Sequence, residues 1–141
     1  MPNDLISLGA DVGGKDAHLA THSHIMQLRK LLSEACRGCY GSAVHEIALV
    51  LRIDGSVQSW CKSGVENLKF LKKNSFISAD IYVPSISWSP GASENFIGFV
   101  AKEIILSLNM IKNHKNIKKT NLEIETLIAD VERVFSKYGL Q

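Results

Sequence analysis

The chain has 141 residues, 45% hydrophobic and 21% charged, a globular balance that excludes a disordered chain. That length suits one domain of roughly 100–200 residues with its own core and no metal or disulfide scaffold, so a single domain over 1–141 is expected. Sixteen Lys+Arg against 14 Asp+Glu leave a charge of +2, against both the clustered basic excess of a phosphate-driven nucleic-acid binder and the acidic excess of a nuclease mimic.

Residues 1–15 contain Gly9, Gly13 and Gly14 and read as a loose lead-in, with local packing for Leu5, Ile6 and Leu8. The first ten residues lack the basic start and apolar run of a signal peptide, and cytoplasmic location is expected. Asp16 is placed to cap a helix whose apolar positions Ile25, Leu28, Leu31, Leu32 and Ala35 recur in steps of three and four, with Gly38 at its C-terminal stop. Val44 to Ile53 is rich in β-branched residues and runs into Asp54-Gly55, a hairpin signal that makes Ser56 to Lys62 the returning strand.

Gly64 to Leu71 fits both periods and is assigned to strand, and Asn74-Ser75 reads as a turn. Phe76 to Val83 alternates, with Ile77, Ala79, Ile81 and Val83 on one face, and Pro84 stops it. Ser93 can cap a long helix with an apolar face of Phe96, Ile97, Val100, Ile104, Ile105, Leu108 and Ile111. Lys102, Glu103 and Asn109 interrupt that face too often for a membrane span. After a polar connector, Lys112 to Lys119, the spacing Thr120-Asn-Leu-Glu123 suggests a capping box for a last helix that Gly139 ends. The expected fold is α+β: a small antiparallel sheet, built from the hairpin around Asp54-Gly55 and the strand 76–83, with an N-terminal and two C-terminal helices on one face. Its other face is left open to a partner.

Cys36-Arg-Gly-Cys39 has the spacing of a metal or redox motif. A zinc site would need two further ligands from Cys61, His45 or the His18, His22 and His24 group, and none repeats a finger spacing. Cys36 also lies near a helix C-terminus, where the dipole opposes a thiolate. Small packed thiols are the plainer reading, and no metal or cofactor is expected. Gly9 to Gly14 lacks phosphate-loop spacing, and neither a GxSxG elbow nor an HExxH motif occurs, so no catalytic residue is assigned.

Residues 62–119 hold nine lysines against four acids, whereas the last 22 residues hold two bases against four acids. Lysines give point charges without the aromatic interleaving of a nucleic-acid module, so the basic stretch reads as a solvated face or as the contact of an acidic protein. Trp60, Tyr82 and Trp88 are the candidate partner-binding residues, since large aromatics with a polar handle dominate interfaces. Trp88, in a loop before a helix, is the first choice for mutagenesis.

Leu51-Arg-Ile-Asp-Gly-Ser-Val57, Ser63-Gly-Val-Glu-Asn67 and Phe76-Ile-Ser-Ala-Asp-Ile-Tyr-Val-Pro84, followed by Trp88 and a long helix, resemble small bacterial immunity proteins. These accompany polymorphic or contact-dependent growth-inhibition toxins. The likeness covers about residues 45–110. It implies a non-enzymatic cytoplasmic protein whose partner is a cognate toxin C-terminal domain, bound so as to cover the toxin's active site, with neither nucleic acid nor membrane involved. No set of toxin-contacting residues carries over, and the oligomeric state stays open. The competing readings are a small metal-binding or thiol-dependent protein using Cys36 and Cys39, and a nucleic-acid-binding module using the lysines.

Overall fold

The computed structural model describes residues 5–13, 15–38, 40–41, 43–54, 64–83 and 93–140. In chain order they form β1 (Ile6–Gly13), α1 (Lys15–Ala35), β2 (Glu46–Asp54), β3 (Gly64–Leu71), β4 (Phe76–Val83), α2 (Ser93–Lys112), a 3-10 helix (Lys115–Lys119) and α3 (Ile124–Lys137). The fold is α+β, with helices on one side of a four-stranded sheet ordered β1-β2-β4-β3.

The sheet is mixed rather than antiparallel. β1 pairs with β2 in parallel, β2 pairs with β4 in parallel, and only β3 and β4 run antiparallel. The expectation of an antiparallel sheet fails because β2 and β4 lie side by side in parallel, and because residues 6–13, read as loose lead-in, are a further parallel strand. Their side chains alternate after all: Ile6 and Leu8 are buried in the core while Ser7 and Gly9 point the other way. α1 then carries the chain back to lay β2 beside β1, the usual device for parallel neighbours. With β1 on one side and β4 on the other, both edges of β2 are occupied. The hairpin present joins β3 to β4 through residues 72–75. The returning strand expected at 56–62 lies outside the described residues.

β2 and β4 bury Ile47, Leu49, Leu51 and Ile53, and Ile77, Ala79, Ile81 and Val83, toward the helices. α1 packs on β1, α2 on β3 and β4, and α3 rests on α1 and α2. α2, sandwiched between sheet and α3, is accordingly apolar around most of its circumference, with Phe96, Val100, Ala101, Ile104, Leu108 and Ile111 all buried.

The element ends refine the sequence reading. Helix α1 begins at Lys15, so Asp16 lies within its first turn. Gly38 is not left-handed; instead, a Cβ there would meet the Tyr40 hydroxyl at 3.1 Å. That hydroxyl lies 2.9 Å from the Ala35 carbonyl and 2.7 Å from Asp130 Oδ2, clamping the end of α1 to α3. Burial first, then the hydrogen bond and charge of Asp130, push the Tyr40 phenol well above its ordinary range. Thr120 closes the 3-10 helix and accepts from the Leu122 N–H rather than capping α3, whose N-cap Glu123 makes no side-chain cap. Gly139, at φ +76°, does end α3, with the Leu140 N–H returning to the Phe135 carbonyl at 2.9 Å.

Candidate functional site

A strand places alternate side chains on opposite faces, so the residues that point away from the helices are known from register. Three rows cross this open face: Ser7, Ala48, Ser78 and Lys69; Gly9, Val50, Asp80 and Glu66; and Asp11, Arg52, Tyr82 and Gly64. Glu46 and Phe76 extend it at one end. The middle strands contribute half-buried rather than buried side chains here.

Arg52 organises the centre. It lies 2.9 Å from Asp11 Oδ2 and 3.3 Å from Asp80 Oδ1, and the second Asp80 oxygen accepts from the Asn67 amide at 2.8 Å. Burial works against the guanidinium charge, but the Asp80 and Asp11 carboxylates outweigh it and hold its pKa above the ordinary value. The Arg52 side chain is 36% exposed and that of Asp80 18%, so the pair is held within the surface rather than waving above it. Ser7 donates to Glu46 at 2.8 Å across the β1–β2 boundary. Asn67 adopts φ +59° beside an irregularity between Glu66 and Lys69, which turns its amide toward Asp80.

Four carboxylates, Asp11, Glu46, Glu66 and Asp80, share the face with two cations, Arg52 and Lys69, and with the rings of Phe76 and Tyr82. Fixed carboxylate acceptors beside half-buried aromatics suit recognition of a basic protein surface. At the β1 edge, Arg29 of α1 donates to the Leu8 carbonyl at 2.7 Å, occupying an acceptor that the β2 ladder does not use and blunting that edge.

Of the three aromatics nominated from sequence, Tyr82 stands on this face in register with Arg52 and Gly64. Trp60 and Trp88 lie outside the described residues. Cys36 is half-buried at the end of α1, and Cys39 and Cys61 lie outside the described residues. Among the described residues, no group of three or more His, Cys, Asp or Glu could hold a metal ion, and no helix is long and apolar enough to cross a membrane. His24 packs obliquely on Phe96, with ring centroids 5.9 Å apart.

Sequence reasoning missed Arg52, Asp11, Asp80 and Asn67. The available signal was a charged residue between two apolar ones, Leu51-Arg52-Ile53, which marks a strand with one open face. Their meeting depends on β1 and β4 flanking β2, and no local pattern carries that.

A family model described as Immunity protein 44 matches residues 6–137. No curated protein and no solved structure matches the chain.

Proposed function

The chain belongs to the immunity protein 44 family, and from that premise we propose that it binds and neutralises a cognate toxin domain in the cytoplasm without catalysis of its own. The match over nearly the whole folded part carries this reading. The sheet face turned away from the described helices supports it, because it presents a rigid mixture of carboxylates and aromatics where a partner could dock. In this reading Tyr82 and Arg52 lie at the centre of the contact, Trp60 and Trp88 also belong to it, and the bound protein covers the toxin's active site. The toxin is the C-terminal domain of a polymorphic or contact-dependent growth-inhibition protein encoded beside this chain.

Co-expression tests the proposal. Cells producing the toxin domain encoded immediately upstream are expected to survive when this chain is present and to stop growing without it. Unprotected growth arrest in the presence of well-folded protein would refute it. Tyr82→Ala is expected to weaken the purified complex by about tenfold, the cost of removing an interface aromatic worth about 1.4 kcal/mol.

A further inference from the structure

The β3–β4 turn and the connector after α2 are distant in sequence but joined in space. Phe70 stacks on His114 with centroids 4.5 Å apart, and the Asn116 amide donates to Asn74 Oδ1 at 3.3 Å. The junction gathers Lys72 and Lys73 from the turn and Lys115, Lys118 and Lys119 from the 3-10 helix, all exposed, with Lys112 half-buried beside them. None of the six forms an ion pair among the described residues. Glu123 and Glu125 line a groove with Lys112 and Lys118, and among the described residues they make no ion pair with the lysines.

The backbone supplies a second, independent observation. Lys72, Lys73 and Asn74 stand at φ +52°, +55° and +67°, three successive left-handed residues without a glycine. Glycine adopts this conformation without the strain a side chain incurs, so lysine at two of these positions costs local stability. Lys72 also reaches back onto the candidate site, its Nζ 5.5 Å from the centroid of the Phe76 ring, making the lysine pole continuous with the open face.

We propose that this lysine pole docks an acidic surface of the cognate toxin domain, beside the part of the toxin that meets the carboxylate-bearing sheet face. The inference rests on the immunity reading and adds the charge pattern of the partner: basic opposite the sheet, acidic opposite the turn. Among the described residues the pole's cations are lysine point charges with no arginine fork, which favours a protein surface over a nucleic acid. Unpaired charges at the edge of an interface act mainly on the encounter rate.

Stopped-flow association with the purified toxin domain tests it. The variant Lys72→Glu, Lys73→Glu, Lys115→Glu, Lys119→Glu is expected to associate at least about tenfold more slowly at low salt, with a flattened salt dependence and little change in dissociation rate. Lys72→Gly with Lys73→Gly provides a variant whose backbone is relieved, and it is expected to melt no lower than wild type yet still associate more slowly. Association rates within twofold of wild type in both variants would overturn the assignment. Binding to a single-stranded RNA oligonucleotide that the fourfold variant loses, with toxin association unchanged, would overturn it in favour of nucleic acid. Wild-type protein that neither binds nor protects against the toxin would defeat the immunity reading itself, and this inference with it.

Discussion

Glu103 shows how one side chain reports on its surroundings. It sits on α2 facing Gly64, where φ is +100° and an added Cβ would come within 3.4 Å of the Glu103 carboxylate. One of its oxygens is buried without a hydrogen-bond partner among the described residues, and burial raises its pKa above the ordinary 4.5. A raised carboxyl pKa means that the folded state holds the proton more tightly than the unfolded chain does. Its stabilising contribution is therefore full below pH 4.5 and lost as pH rises through the elevated value. Glu103→Gln is expected to unfold at higher urea concentration than wild type at pH 7, the difference closing as pH falls toward 4.5. Tyr40, unlike that Glu103 oxygen, has partners, its hydroxyl lying within hydrogen-bond distance of acceptors on two helices. Tyr40→Phe leaves both a partner short and is expected to cost about 1–2 kcal/mol in chemical denaturation.

At the scale of elements, β1 matters most, because it adds a parallel edge strand to the mixed β2-β4-β3 sheet and covers one flank of the core. Its buried Leu8 seals one flank of the core against α1. Leu8→Ala is expected to destabilise the protein by about 3 kcal/mol, and removal of residues 1–13 to abolish the cooperative thermal transition in circular dichroism. A dispensable lead-in would leave that transition intact. The β3–β4 turn carries the reverse expectation. Lys73→Gly removes a left-handed lysine at φ +55° and should stabilise by about 1 kcal/mol, raising Tm by about 3 °C. A gain in stability alongside slower toxin association would mark the turn as kept for binding.

Taken whole, the molecule has two sides of unlike character: a sheet face bearing carboxylates and aromatics, and a helical side closed by α3, whose outer surface carries Glu125 and Glu132. Either acidic surface could face a basic partner, and substitution separates them. Val50→Arg, at the centre of the open face, is expected to weaken toxin binding by tenfold or more, whereas Glu125→Lys with Glu132→Lys should leave the measured affinity unchanged. Periodicity made the three helices, β2, β3 and β4 legible, since burial of alternate or every third and fourth residue is a local property that the order of residue types records directly. The lysine-rich middle and acidic tail were legible for the same reason. Position in the sheet was not, because which strands become neighbours is set by contacts between segments far apart in sequence. Tyr82 could be nominated from its residue type, but its neighbours Arg52, Asp11 and Asp80 could not. Residue order alone set the elements, their buried faces and the segregation of charge. The tertiary structure decided that β1 and β4 flank β2, and with it the carboxylate-bracketed Arg52 and the lysine pole, since both are assembled from segments whose proximity exists only after the chain has folded.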